Sequence, residues 1–319
     1  MKHRIVNARG TRIHLVEEGD GPLVLLVHGF PESWYSWRHQ IPVLAAAGYR
    51  VAAIDVRGYG RSSKPLDIEA YGMVHHVEDN LGVVEALGAG TAVVVGHDWG
   101  SPIAANSALM HPDVFTAVAL LSVAYSPPGG GRRPTEGFAA MGGEEEFYIN
   151  YFQEPGRAEA EIEADVRGWL VGFYVAASGD AVRPADGGTM ASVPRGGRLR
   201  DRFVVPDRLP AWLTEEDVDF YAAEFERTGF RGPLNRYRNV DRDWEDLQSW
   251  RDQPIKVPSL FIGGEKDGPT IWGARAISHF GETLPGLRGS HILPGCGHWL
   301  QQERAEEVNR LLTEWLASL

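Results

Sequence analysis

The sequence predicts an α/β protein: a mostly parallel, doubly wound sheet that carries an inserted helical cap. Three observations lead to this prediction. Short unbroken runs of Val, Leu and Ile alternate with helix-like segments in the first 126 residues, only helical patterns follow to residue 251, and the alternation then resumes. Such runs are typical of strands buried on both faces of a parallel sheet, and their alternation with helices is typical of a doubly wound fold.

The predicted strands are six apolar runs, each bounded by Gly or Pro punctuation, at residues 23–27, 51–56, 93–95, 117–123, 257–262 and 291–293. Helical spacing of apolar residues predicts helices over 74–87 and 101–110. The last segment repeats Val308, Leu311, Leu312, Trp315 and Leu316, which predicts an amphipathic helix that closes the fold.

The strand–helix rhythm breaks at a turn-rich linker, Ser126-Pro127-Pro128-Gly129-Gly130-Gly131. Beyond it, apolar residues recur at helical spacing from Ile162 to Phe173. A second helix is predicted from Thr214, an N-cap followed by acidic residues, to Gly229. Residues 178–200 are rich in Gly, Pro and Arg and are predicted to form a mobile loop. The expected organisation is a core domain of residues 1–126 and 252–319 with a cap of residues 127–251.

Composition narrows the classes of partner. The 319 residues carry a formal net charge of −12, which argues against nucleic acid and against anionic membranes as partners. No apolar run is long enough to span a membrane, and the start of the chain lacks the apolar segment of a signal peptide. The single cysteine, Cys296, excludes an intrachain disulfide and is compatible with a reducing compartment. We expect a cytoplasmic monomer or homodimer.

A sharp turn between a strand and a helix carries the first candidate for catalysis. Gly96-His97-Asp98-Trp99-Gly100 follows the run at 93–95 and precedes a helix pattern, an arrangement typical of a nucleophile elbow. Its centre is Asp98, and an aspartate carboxylate is ionised at neutral pH, so it needs no base to activate it. Attack on a saturated carbon would give an ester of the enzyme, which water must then hydrolyse. A serine-type esterase is excluded at this position.

Two more polar residues follow later strands, in the chain order nucleophile, acid, histidine. Asp267 comes after the run at 257–262, and His298 after the run at 291–293. Both should lie with Asp98 at the carboxyl edge of the sheet, where His298 can take a proton from water and Asp267 can orient its imidazole. Glu265 is an alternative acid.

An oxyanion hole is predicted beside the elbow. His28-Gly29-Phe30-Pro31 follows the first buried strand, and a turn there can direct a backbone N–H toward Asp98. The amides of Phe30 and Trp99 would then stabilise the oxyanion formed during ester hydrolysis. A structural turn with a cis-prolyl bond is the alternative, and His28 is expected to be a structural hydrogen-bonding residue.

The chain resembles the soluble epoxide hydrolases of the α/β-hydrolase fold over nearly its whole length. The resemblance is carried by the elbow at residues 96–100, the segment that begins His28-Gly29-Phe30-Pro31, Arg57-Gly58-Tyr59-Gly60 and Cys296-Gly297-His298-Trp299. The resemblance implies opening of an epoxide to a vicinal diol, with Asp267 as the acid. Cap segments 148–156 and 235–239 also match, and in the family a tyrosine from each reaches the epoxide oxygen. The matching residues are Tyr148 and Tyr237, whose phenols stay protonated at neutral pH and can donate.

Further expectations concern the pocket and the alternatives. Trp34, Pro31, Tyr151 and Trp299 are predicted to surround the substrate, with Tyr151 turned toward the cap core. Neither a metal nor a cofactor is expected, because His75-His76 lack further ligands. A haloalkane or haloacid dehalogenase would share Asp98 but would offer N–H donors for halide instead of two tyrosines. A non-catalytic binding protein of the same fold should have lost its acid or base, whereas Asp98, Asp267 and His298 are all present.

Overall fold

The computed structural model describes residues 1–129, 131–185 and 187–319. Gly130, in the predicted linker, and Asp186, in the predicted mobile loop, lie outside the described residues. The described residues form ten strands: β1 (Lys2–Ala8), β2 (Thr11–Glu18), β3 (Leu23–Val27), β4 (Arg50–Ile54), β5 (Ala92–His97), β6 (Phe115–Leu121), β7 (Glu146–Phe147), β8 (Ser192–Val193), β9 (Ser259–Gly264) and β10 (Leu287–Leu293).

Eight of these strands form one sheet in the order β1-β2-β4-β3-β5-β6-β9-β10. From β4 to β10 every pairing is parallel, whereas β1 with β2 and β2 with β4 are antiparallel. The central strands β3 and β5 are buried along their whole length. The predicted mostly parallel sheet is therefore confirmed.

The sequence prediction missed the amino-terminal hairpin of β1 and β2. Only the last part of β1 is buried, with Val6 and Ala8 facing the core and the residues between and before them exposed. An edge strand of this kind has no continuous apolar run, so its sequence reads as a mixed stretch. The prediction also found no strand in the cap, where β7 and β8 pair over two residues each.

Helices cover both faces of the sheet and build the inserted segment. They are α1 (Gln40–Ala46), α2 (Met73–Ala86), α3 (Gly100–Met110), α4 (Pro134–Gly142), α5 (Tyr148–Tyr151), α6 (Arg157–Ile162), α7 (Val166–Ala177), α8 (Glu215–Thr228), α9 (Arg231–Tyr237), α10 (Val240–Asp246), α11 (Gly268–Trp272), α12 (Ala274–Ser278), α13 (Phe280–Thr283), α14 (Leu300–Glu303) and α15 (Ala305–Ala317). Short 3-10 turns cover Trp34–Trp37, Ile68–Tyr71, Leu199–Arg202 and Leu247–Trp250.

The helical segment is inserted in the sequence between β6 and β9, and it contains α4 to α10. The continuous helix expected from Ile162 to Phe173 is two helices, α6 and α7, because Asp165 caps a new start with its side chain accepting from the Gly168 amide. Thr214 caps α8 as predicted, through a capping box with Asp217, and Gly229 ends it at φ 68°.

Aromatic side chains join the helical segment to the sheet domain. The Phe30 ring, on the loop after β3, lies 5.8 Å from Phe173 and 5.3 Å from Tyr237, centroid to centroid. Trp169 stacks on Phe173 at 4.8 Å. This packing places the helical segment, the predicted cap, over the carboxyl edge of the sheet. Among the described residues, no helix has the length and apolar character needed to cross a membrane.

Candidate active site

The turn after β5 holds Asp98 in a strained backbone conformation. Its φ is 52°, a left-handed value that non-glycine residues rarely adopt. The flanking glycines make the turn possible, because a Cβ on Gly96 would lie 1.9 Å from the Gly100 carbonyl oxygen, and one on Gly100 would lie 2.0 Å from that of Val27. The strain is typical of a functional residue, and the turn presents the carboxylate at the start of α3.

Three side chains meet at the edge of the sheet. His298 Nε2 lies 3.3 Å from Asp98 Oδ2, and His298 Nδ1 lies 2.8 Å from Asp267 Oδ1. Asp98, Asp267 and His298 are all buried. The structure thus brings the predicted nucleophile, base and acid together, with the imidazole between two carboxylates.

The two carboxylates control the charge of the imidazole. Burial alone disfavours the imidazolium, but the charges of Asp267 and Asp98 outweigh it and hold the pKa of His298 well above its usual range. Burial also opposes the charge on Asp267, yet contact with His298 and hydrogen bonds from Thr270 and Ser122 keep the pKa of Asp267 below its usual value. The free site therefore favours an ionised Asp267 and a protonated His298.

Two hydroxyl groups, which the sequence did not reveal, fix Asp267. Ser122 Oγ and Thr270 Oγ1 each donate to Asp267 Oδ2 at 2.7 Å, and Ser122 Oγ is also 3.1 Å from His298 Nδ1. Ser122 follows β6 with φ at 73°, a second strained position beside the site. Its place at the carboxyl end of a central strand is the only sequence signal that could have identified it.

The competing acid, Glu265, does not contact the imidazole. Glu265 is exposed, and its Oε2 accepts a hydrogen bond from the Gly295 amide at 2.7 Å. Asp267, two residues further, is fully buried. The geometry therefore favours Asp267 in the acid position.

The loop after β3 approaches the nucleophile closely. The Phe30 amide donates to Asp98 Oδ1 at 2.7 Å. A Cβ on Gly29 would lie 2.2 Å from the same oxygen, so only glycine allows this approach. The Phe30–Pro31 peptide bond is cis, as the alternative interpretation of the turn expected. His28 accepts from the Val56 amide through Nε2 at 3.0 Å, which fits a structural residue.

Trp99, the second predicted oxyanion donor, is the N-cap of α3. Amides at the start of a helix have no intrahelical acceptor and are available to a ligand or side chain. The guanidinium carbon of Arg236, a buried residue paired with Asp243, lies 4.6 Å from the centroid of the Trp99 ring. The Arg236 guanidinium therefore packs against the indole ring of Trp99 from the side of the helical segment.

A cavity of about 680 Å³ opens onto the three catalytic candidates. Asp98, Asp267, His298, Phe30 and both predicted tyrosines contribute to its lining. The rest of the wall comes from the end of α7, the loop that follows it and the start of α11: Phe173, Ala176, Ala177, Ser178, Gly179, Ala181, Val182, Arg183, Pro184, Gly187, Gly188, Thr189, Met190, Ala191, Arg202, Glu265, Lys266, Gly268, Pro269, Ile271 and Trp272.

Tyr148 and Tyr237 reach this cavity from two different cap helices. Tyr148 begins α5 and Tyr237 ends α9, and their ring centroids lie 6.1 Å apart. Burial and the negative charges of Asp98 and Asp267 raise the pKa of Tyr148. Burial, Tyr148 and Asp98 raise the pKa of Tyr237 as well. Both phenols therefore remain protonated hydrogen-bond donors at neutral pH.

The four other predicted pocket residues are not among those that line the cavity. Trp34 starts a 3-10 turn, is partly buried and packs edge-on against the rings of His3 and Phe220. The Pro31 carbonyl accepts from the Tyr174 hydroxyl at 2.6 Å. Neither residue lines this cavity, and a contact of either with the substrate stays a prediction.

Tyr151 and Trp299 support the site from behind. The Tyr151 hydroxyl donates to Glu161 Oε2 at 2.6 Å inside the cap, where its ring was expected to point. Trp299 is fully buried, and its ring packs edge-on against His298 at 4.6 Å. Its indole N–H donates to the Tyr174 carbonyl at 2.7 Å. Both residues are buried outside the lining of this cavity, and a contact of either with the substrate stays a prediction.

Sequence reasoning also missed a buried pair behind the site. Glu32 Oε2 lies 2.7 Å from His97 Nδ1 and accepts from the Gly29 amide at 2.9 Å. His97 Nε2 lies 2.7 Å from the carbonyl oxygen of His298. This pair connects the oxyanion loop, the elbow and the histidine loop. Both residues lie within the motifs noted in the sequence, which was the available signal.

Comparisons with known proteins agree with this architecture. The sequence profile described as alpha/beta hydrolase fold matches residues 22–305. Epoxide hydrolase B of Mycobacterium tuberculosis is 47% identical over 99% of this chain and 98% of its own length. Bifunctional epoxide hydrolase 2 of Sus scrofa is 40% identical over 96% of this chain and 53% of its own length. A solved structure, "Epoxide hydrolase from an endophytic Streptomyces", is 67% identical with a TM-score of 0.96 and covers 99% of this chain and 95% of that one.

The fold and the site thus define an α/β hydrolase with an aspartate at its elbow, and the predicted fold class is confirmed. The sequence identity to these epoxide hydrolases over almost the whole chain identifies the group of α/β hydrolases to which the chain belongs. The chain belongs to the epoxide hydrolases of the α/β-hydrolase fold, as the resemblance in its sequence indicated.

Proposed function

We propose that the protein converts an epoxide and water to a vicinal diol through a covalent ester on Asp98. The observation that carries the proposal is the meeting of a carboxylate nucleophile, a base and two phenol donors at one cavity. The Phe30 amide holds Asp98 Oδ1, which leaves Oδ2 to attack the epoxide carbon. The carbon–oxygen bond of the ring breaks as the ester bond forms.

Tyr148 and Tyr237 are the proposed donors to the epoxide oxygen. An alkoxide is a poor leaving group unless it is hydrogen-bonded or protonated, and both phenols face the cavity in their protonated form. General-acid assistance of this kind contributes about 10²–10⁴-fold. Two donors from the cap also orient the substrate for attack by Asp98 from the opposite side.

Hydrolysis of the ester is the second step. A water gives its proton to His298 and attacks the carbonyl carbon of the ester, and the resulting oxyanion is stabilised by the amides of Phe30 and Trp99. Asp267 orients the imidazole and stabilises the imidazolium. Collapse of the intermediate moves the proton from His298 to the departing diol oxygen. The second proton of the water then leaves Asp98, which regains its carboxylate, and replaces the proton that a tyrosine gave to the alkoxide during ring opening.

Trapping the ester tests this proposal. The His298→Gln variant, mixed with styrene oxide, should gain the mass of one substrate by intact mass spectrometry, because it lacks the base for hydrolysis. The Asp98→Asn variant is the matched control and should gain none. Absence of an adduct on His298→Gln would contradict the covalent route.

Labelled water gives an independent check. In a single turnover of the wild-type enzyme in H₂¹⁸O, the isotope should enter the Asp98 carboxylate, because water attacks the ester carbonyl. Direct labelling of the diol with an unlabelled protein would contradict the proposal. A chloroalkane tested in parallel should release no halide, since the cavity offers phenols where a dehalogenase requires N–H donors.

A further inference from the structure

Glu303, at the end of α14, binds the backbone on both sides of the catalytic histidine. Its Oε2 accepts from the Gly297 amide and its Oε1 from the Trp299 amide, each at 2.9 Å. These are the residues immediately before and after His298. One carboxylate therefore brackets the histidine, although Glu303 itself is not among the residues that line the cavity.

The same carboxylate reaches the cap. Glu303 Oε2 also accepts from the Gly179 amide at 2.9 Å, just beyond the end of α7. The His298 amide donates to the Ala177 carbonyl at 2.9 Å, and Lys266 Nζ donates to the Gly179 carbonyl at 2.7 Å. The cap segment that lines the cavity is thus joined to the loops of both the acid and the base.

Glycine backbones crowd this junction. A Cβ on Gly179 would lie 2.2 Å from the Gly295 carbonyl oxygen and 3.0 Å from Glu303 Oε2. A Cβ on Gly297 would lie 2.2 Å from the Gly179 nitrogen. The two chain segments can approach the carboxylate together only because neither carries a side chain.

We propose that Glu303 is a positioning residue, which holds His298 in the orientation needed to hydrolyse the ester and ties the His298 loop to the cap at Gly179. This inference rests on the proposed two-step function. A carboxylate only accepts hydrogen bonds, so it matches three converging N–H donors. The NH₂ group of a glutamine would face at least one of these backbone N–H groups. One hydrogen bond would be lost, and two donors would lie in repulsive contact.

The two chemical steps should respond differently to loss of this contact. His298 acts as a base only after the ester has formed, whereas ring opening requires Asp98 and the two tyrosines. A misplacement of about 1 Å can reduce a rate by about 10²-fold. We therefore expect Glu303→Gln to slow ester hydrolysis by at least about tenfold and to leave ester formation within about threefold of wild type.

Single-turnover kinetics with styrene oxide, followed by rapid quench and intact mass spectrometry, measure both steps. Glu303→Gln should accumulate the ester. Glu306→Gln, an exposed glutamate in the first turn of α15, is the matched control and should behave as wild type. Unchanged hydrolysis in folded Glu303→Gln, or an equal fall in both steps, would overturn the proposal.

A variant on the cap side of the junction provides a second test. It tests the proposal even if Glu303→Gln does not fold. Gly179→Ala should accumulate the ester in the same way. Gly137→Ala is its control, because Gly137 lies in cap helix α4 with nothing within 4 Å of a new Cβ. Normal hydrolysis in Gly179→Ala would contradict the coupling to the cap.

Combining variants separates positioning from other effects. In a His298→Gln background, adding Glu303→Gln should change the residual hydrolysis by less than about twofold if Glu303 acts through His298. Additional slowing would refute this route. A wild-type enzyme that forms no ester would refute the proposed function itself, whereas a wild-type ester with normal decay in Glu303→Gln refutes the positioning role alone.

Discussion

The charge on Asp98 should control the protonation of His298, which the Asp98→Asn variant can test. Two unit charges 3.3 Å apart attract each other by about 5 kcal/mol at an effective dielectric constant of about 20. Removing the anion removes this attraction for the imidazolium, so the pKa of His298 should fall. Asparagine suits the position because it tolerates the left-handed backbone of residue 98.

The assay is a pH titration of the imidazole nitrogens by NMR, on protein labelled with ¹⁵N-histidine. The spectrum of His298→Gln assigns the His298 signal among the eleven histidines. In the wild-type protein the signal should titrate at a higher pH than that of an ordinary histidine, because Asp267 and Asp98 raise the pKa of His298. In Asp98→Asn the transition should move to lower pH, whereas Asp113→Asn, an exposed control, should leave it unchanged.

The reasoning would be refuted by a His298 signal that titrates at the same pH in wild type and Asp98→Asn. The expected result has a mechanistic consequence. Esterification of Asp98 removes the same negative charge that Asp98→Asn removes, so formation of the ester should itself release the proton from His298. The imidazole would then become a base at the stage when water must be activated.

Three further predictions follow from the same geometry. Tyr148→Phe and Tyr237→Phe should each slow ester formation by roughly 10- to 100-fold in rapid-quench experiments, and a double variant with normal turnover would contradict the donor role. Ser122→Ala loses a hydroxyl donor to the triad acid, which costs about 1–3 kcal/mol, so ester hydrolysis should slow at least several-fold while ester formation changes little. Arg236→Met should lower the free energy of unfolding by about 3–5 kcal/mol, because it leaves the carboxylate of Asp243 charged and without its cation. In denaturant melts, the double variant with Asp243→Asn should recover part of this loss. Losses that add up in the double variant would exclude the pairing.

The sequence predicted the central sheet well because its strands are buried on both faces. The run at 23–27 matched β3 residue for residue, and the glycine-flanked turn around Asp98 identified the elbow. The catalytic candidates follow from chain order, since parallel strands bring their carboxyl ends to one edge. Asp267 and His298 meet there as expected.

Features that depend on packing were not predictable in this way. Apart from its place after β6, nothing in the sequence distinguishes Ser122 from other serines, because its role depends on the meeting of β6 and the loop after β9. Glu303 is one of three glutamates within five residues, and what sets it apart is its contact with the amides of Gly297, Trp299 and the distant Gly179. Trp34 lies near the oxyanion loop in sequence, yet its ring packs against His3 and Phe220 and does not line the cavity.

The residues that line the cavity come from two kinds of structural element, and this matters for engineering the substrate preference of the enzyme. The proposed reacting groups sit on turns at the sheet edge and on two helices of the inserted segment, whereas much of the remaining lining is the irregular stretch that includes Val182, Thr189 and Met190. Substitutions in that stretch should change how a substrate fits in the cavity and leave the proposed reacting groups in place. A library confined to these three positions should therefore yield enzymes with shifted enantiomer preference and undiminished thermal resistance.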